Sequence, residues 1–142
     1  TTNVMDYCEF ASRGNFADFG DATAAAYGSN GGPGGNDVRS FRMGAYNANG
    51  NLTTVDYWAP ATLGNAADFG DLSVGATEAA GMASTTRVIR YGSYNVNTID
   101  YHAIASLGDF SDFGDAVAAV GAGEAVSSPV RGVRVGGQGA SN

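Results

Sequence analysis

Nine of the 14 acidic residues and six of the seven arginines fall at three sets of matching positions along this chain. Carboxylates at fixed spacing can hold calcium, relay protons or pair with cations. Arginine supplies a planar five-donor fork suited to carboxylates, carbonyls and phosphates. The tetrapeptide Asp-Phe-Gly-Asp, at 18–21, 68–71 and 112–115, also occurs in protein kinases, where its first aspartate holds magnesium. A kinase needs a lysine on the nucleotide phosphates, and this sequence has none. One active site has no use for three copies, so the kinase reading fails.

Two structural roles remain for these residues. Phe19, Phe69 and Phe113 are expected to plug a core, with the glycine allowing a sharp bend and the aspartates tying off the turn. Arg39, Arg42, Arg87, Arg90, Arg131 and Arg134 are expected to brace neighbouring units against Asp18, Asp21, Asp68, Asp71, Asp112 and Asp115. Calcium held by these carboxylates, and a sugar or phosphate clamp made by the arginines, are the sharper alternatives. An anion clamp would work against acidic surroundings.

Catalysis finds no foothold, and no cofactor or metal is expected. His102 is the only histidine, and Cys8 and Trp58 fill its slot in the other copies. A slot that accepts Cys, Trp and His alike reads as a variable, partly exposed position. Trp58 there is a candidate ligand contact, able to stack on a sugar ring or a partner. A Cys8–His102 pair would need closure of the fold, and it lacks a third group. Asn51-Leu52-Thr53 fits a glycosylation acceptor, at near chance frequency in such a chain.

The bulk properties point away from several partners. A net charge of −7 without lysine suits neither nucleic acid nor an anionic lipid surface. No apolar run reaches the roughly 20 residues that span a bilayer, and no membrane insertion is expected. No basic n-region followed by an apolar h-region opens the sequence, so any export signal is expected to be absent or already removed. A single cysteine excludes an intramolecular disulfide framework and says little about compartment.

The elements that carry these residues come in threes. Asp-Tyr stands at Asp6-Tyr7, Asp56-Tyr57 and Asp100-Tyr101, and Asp-Phe-Gly-Asp begins twelve residues after each of these aspartates. Arg-x-x-Arg-x-Gly follows, at Arg39/Arg42/Gly44, Arg87/Arg90/Gly92 and Arg131/Arg134/Gly136. The first copy is longer by the Gly-rich segment 28–37, which reads as an enlarged surface loop. Units of this period cannot bury a face alone and stack on their neighbours. The whole chain, 1–142, therefore reads as one domain of units near 1–47, 48–95 and 96–142.

Within each unit the pattern has period two, which means strands. Met5/Val55/Ile99, Tyr7/Tyr57/Tyr101 and Ala11/Ala61/Ala105 share one parity, and the Asp of Asp-Tyr takes the other. Tyr7, Tyr57 and Tyr101 join the expected core. The Ala-rich stretch after each Asp-Phe-Gly-Asp is helix-competent, but its glycine and brevity favour strand or loop. Asn and Gly between the Arg stretch and the next Asp-Tyr stretch predict an antiparallel hairpin. The segment Asn3–Ala11 then has no Arg strand before it, and Arg131–Gly137 has no Asp-Tyr strand after it. These two half-hairpins are expected to pair, closing a ring in one molecule or joining molecules head to tail, with the second favoured.

The unit Asn-Val-Met-Asp-Tyr … Gly-Asn-Phe-Ala-Asp-Phe-Gly-Asp … Arg-Ser-Phe-Arg-Met-Gly resembles a tandem repeat of virion structural and tail-fibre proteins of tailed phages, especially those of cyanobacteria and other aquatic bacteria. The resemblance spans nearly the whole chain, and no activity attaches to it. The Gly136-Gly137 pair after a strand is loosely similar to kelch-like propeller blades. Gly44 and Gly92 depart from that pattern, being followed by Ala45 and Ser93. The expected fold is all-β: short antiparallel strands in three propeller-blade-like repeats, with a three-fold β-prism or β-trefoil as alternative. The expected function is a non-enzymatic structural or adhesion module of a virion or comparable extracellular fibre. Its expected partners are further copies of itself, other virion proteins or host-surface glycans. A lectin domain with up to three equivalent sites is the alternative.

Overall fold

The computed structural model describes residues 1–28 and 34–139, and these form antiparallel strands without any helix. In chain order the strands are β1 (Thr2–Tyr7), β2 (Ala17–Ala26), β3 (Ser40–Asn47), β4 (Gly50–Trp58) and β5 (Ala67–Ala76). There follow β6 (Ala80–Ala83), β7 (Arg87–Ser93), β8 (Val96–Ala103) and β9 (Ser111–Asp115). The last are β10 (Val120–Gly121), β11 (Glu124–Ser128), β12 (Arg131–Val135) and β13 (Gln138–Gly139). They build five small sheets, ordered β1-β2, β3-β4-β5, β6-β7-β8-β9, β10-β13 and β11-β12, and no closed barrel. Half of the expected enlarged loop at 28–37, residues 29–33, lies outside the described residues.

Both predicted hairpins form. β3 turns into β4 at Asn47↔Gly50, and β7 into β8 at Ser93↔Val96. Asn95 takes φ 65, as its place in the turn requires. The Ala-rich stretch is strand in the first two copies, where it continues β2 and β5. Pairing with β1 and β4 overrides the helical preference of alanine, and Ala22, Leu72 and Ala76 turn inward. In the third copy β9 stops at Asp115. The Asp-Tyr strands are shorter than the sequence suggested. Ala11, Ala61 and Ala105 lie beyond them in turns, and so outside the strand parity.

Asp-Phe-Gly-Asp encodes a bulge. Met5, Val55 and Ile99 pair with Gly20, Gly70 and Gly114, while the next residues, Asp6, Asp56 and Asp100, pair with Asp18, Asp68 and Asp112. The phenylalanine between is left without a cross-strand partner, free to leave the ladder. The glycine follows with φ of 145, 145 and 137, a conformation that side-chain-bearing residues avoid. The glycine of Arg-x-x-Arg-x-Gly faces a second bulge, in which the partner strand carries the extra residue: Gly44 alone spans Thr53 and Thr54, and Gly92 spans Asn97 and Thr98.

The core lies between the middle sheets. Phe41, Val55, Phe69, Leu72, Ala76, Ala79, Val88, Ile104 and Phe110 form one buried cluster, with Met43, Tyr57 and Ala83 packed against it. Phe69 is its hub, meeting the rings of Phe41, Tyr57, His102 and Phe110 edge-on. The three bulge phenylalanines do not share one environment, as their sequence equivalence suggested. Phe19 and Phe69 are buried, whereas Phe113 is 53% exposed. The tyrosines are half-buried rather than core, each edge-on to the bulge phenylalanine of its own unit.

Candidate functional site

The repeated residues meet where one unit passes to the next. At the first joint, Arg42 on β3 lies directly across the hairpin from Asp56 on β4, and the two form an ion pair. Arg42 Nη1 also donates to the Ala24 carbonyl at 2.9 Å, and the Thr23 hydroxyl donates to Asp56 Oδ1. At the second joint, Arg90 and Asp100 face each other across β7 and β8, both side chains with no exposed surface. Arg90 Nη1 donates to the carbonyls of Gly92 and Thr98 at 3.2 and 2.9 Å, and the Ser73 hydroxyl donates to Asp100 Oδ1.

The brace therefore exists, but with a different set of aspartates. The partners are those of Asp-Tyr, whereas Asp18, Asp21, Asp68, Asp71, Asp112 and Asp115 are all exposed. Cross-strand register decides this, because it sets Arg42 opposite Asp56 and Arg90 opposite Asp100. The exposed aspartates serve their own bulges: Asp18 and Asp112 accept from the amides of Gly20 and Gly114 at 3.1 and 2.8 Å. Asp71 accepts from the Thr53 hydroxyl at 2.8 Å. Arg39 and Arg87 lie over the rings of Tyr57 and Tyr101, 4.9 and 5.3 Å from the centroids. Arg131 is exposed, and Arg134 lies over Tyr91.

A second clamp holds each joint. The Gly64 and Ala66 amides donate to the carbonyls of Phe19 and Asp21, both at 2.8 Å, and Asn65 Oδ1 accepts from the Asp21 amide at 3.0 Å. The next joint repeats this one unit on. Gly108 and Phe110 donate to Phe69 and Asp71, and Asp109 Oδ1 accepts from the Asp71 amide at 3.0 Å. The glycine four residues before each Asp-Phe-Gly-Asp was the signal for this clamp, and sequence reasoning passed over it. So too it missed Thr23 and Ser73.

The clamp explains why the bulge phenylalanines differ. The loop of the following unit covers Phe19 and Phe69, and no described segment covers Phe113. An added Cβ at Gly20 or Gly70 would collide with the carbonyl of Gly64 or Gly108, yet at Gly114 it would meet nothing within 4 Å. Asn65→Ala should accordingly lower stability by about 1 kcal/mol, the net worth of one hydrogen bond. Asn15→Ala, at the equivalent place in the first unit, should leave the urea midpoint of the monomer unchanged.

A cavity of about 570 Å³ opens beside the first unit, lined among others by Asp6, Tyr7, Glu9, Phe10, Phe19 and Trp58. Trp58 is half-buried, Cys8 is exposed, and His102 packs on Phe69 and Phe110 with Nδ1 2.8 Å from the Ala103 carbonyl. Cys8 lies just past the end of β1, whereas His102 is on β8 of the four-stranded sheet. Among the described residues no group of three or more His, Cys, Asp or Glu could hold a metal ion. No known family model matches the chain, and no curated protein is similar to it.

Proposed function

We propose that this chain is a non-enzymatic structural or adhesion module that works by assembly, in a tail fibre or surface protein of a tailed-phage virion or a comparable extracellular fibre. One observation carries the reading: at the joints between units Arg42 and Arg90 are paired with Asp56 and Asp100, and Arg39 and Arg87 lie over Tyr57 and Tyr101. Arg42 and Arg90 are held by carboxylates and carbonyls of the same chain, which removes them from any anion clamp. Residues consumed in holding units together favour a load-carrying or display role over turnover. The resemblance of the unit to virion and tail-fibre repeats supports the same conclusion.

Antibodies raised against the purified protein should decorate fibres or the surface of tailed particles from its source in negative-stain images. Label confined to the particle-free fraction would overturn the proposal. A second reading, a carbohydrate-binding module, is favoured by the cavity beside Trp58, where aromatic faces and the carboxylates of Asp6 and Glu9 suit a sugar ring. It implies one site rather than three. At the second unit Phe41 and Arg39 occupy the matching space beside Phe69 and Tyr57.

A further inference from the structure

The two-stranded sheets β1-β2 and β11-β12 match the two outer pairs of the four-stranded sheet β6-β7-β8-β9. β11 pairs with β12 in the register of β6 with β7: Glu124↔Val135 and Val126↔Val133 stand for Ala80↔Tyr91 and Met82↔Ile89. β1 pairs with β2 as β8 does with β9, Met5↔Gly20 standing for Ile99↔Gly114. In the four-stranded sheet, β7 and β8 join these halves. The outer edges of β12 and β1 have no such neighbour among the described residues. Nor do they pair with each other, so ring closure within one chain, the less favoured of the two expected outcomes, does not occur among the described residues.

From this we infer that each edge takes the matching strand of a further unit, which for this chain by itself is a second copy, docked head to tail with β12 of one molecule against β1 of the next. This deepens the proposed assembly role and rests on it. The register follows from the internal joints. Arg42↔Asp56 and Arg90↔Asp100 translate to Arg134↔Asp6, and Phe41↔Tyr57 and Ile89↔Tyr101 translate to Val133↔Tyr7. The same shift carries Arg87↔Ala103 to Arg131↔Glu9, a second pair of opposite charge.

Four independent features are ready for this contact. Arg134 Nη1 is buried without a hydrogen-bond partner among the described residues, while Asp6 is exposed. Gly136 has φ 69, the value of its bulge counterpart Gly44, although β12 lacks the strand that would define a bulge. The cavity beside Tyr7 and Phe19 stands where Arg39 and Phe41 fill the second unit, and Arg131 and Val133 of the neighbouring copy would enter it. Finally, Phe113 is exposed at one end and Phe16 is 69% exposed at the other. Docking sets Gly14-Asn15-Phe16 on Phe113–Asp115, as Gly108-Asp109-Phe110 sits on Phe69–Asp71. One departure exists: Val117 stands where Thr23 and Ser73 supply a hydroxyl, so Asp6 gains one donor fewer.

The test uses Asp6→Arg, which spoils only the β1 end, and Phe113→Asp, which spoils only the other. Both positions are exposed, so at a dilution where wild type is monomeric each variant should still unfold cooperatively in urea, with a midpoint close to that of wild type. Light scattering across a dilution series should show wild-type mass growing beyond one chain with concentration. Each variant alone should stay monomeric, its association weakened about tenfold or more. An equimolar mixture should form dimers and stop there, because it contains one sound joint and one doubly broken joint. Monomeric wild type, a variant that assembles like wild type, or a mixture that stays monomeric would each overturn the docking. Such failure leaves the particle-labelling result untouched, so the two readings are separable.

Discussion

Replacing Asp100 by Ala should destabilise the protein by about 3–5 kcal/mol, measured by urea denaturation. The change leaves the Arg90 guanidinium in a site with no exposed surface and no counter-charge. Arg90 Nε already lacks a hydrogen-bond partner, so the cation cannot redistribute its donors. Ser73 loses its acceptor in the same step. Desolvation of the surviving charge dominates, and removing both charges should therefore restore most of the loss. The double variant Arg90→Met/Asp100→Leu should lie within about 1–2 kcal/mol of wild type. Asp6→Ala, at the exposed equivalent position, should change the stability of the monomer by less than about 0.5 kcal/mol. Equal losses at Asp6 and Asp100 would refute the buried brace.

The second large effect belongs to Phe69. Phe69→Ala should cost about 3–5 kcal/mol, the usual sum of lost transfer energy and residual cavity. Four rings meet Phe69, and Leu72 and Phe110 lie in the same cluster, so a collapse that fills the void must move several strands at once. Phe113→Ala, in the same motif, should cost less than about 1 kcal/mol in the isolated chain, because the ring is 53% exposed. Urea midpoints of the two variants give the comparison directly. Comparable losses at the two positions, at a dilution where the chain is monomeric, would mean that a segment of the same chain covers Phe113.

The three-fold recurrence of Asp-Tyr, Asp-Phe-Gly-Asp and Arg-x-x-Arg-x-Gly was enough to read strands, hairpins and an all-β chain. These are local consequences. Period-two alternation settles which way a side chain leaves its strand, Asn and Gly set the turns, and a glycine in a repeated motif marks backbone that other residues avoid. The need for an Arg–Asp brace was also legible, since the two charges recur together. Which aspartate answers which arginine was not, because pairing follows cross-strand register, and bulges on both sides of the Asp-Tyr strand shift that register. Burial of Phe19 and Phe69 but not Phe113 lay further out of reach. The motif is the same in all three, and what covers each ring is a loop some 40 residues later in the chain. Sequence equivalence describes a unit by itself. Burial depends on its neighbour, and only the tertiary arrangement shows that each unit is completed by the one that follows it.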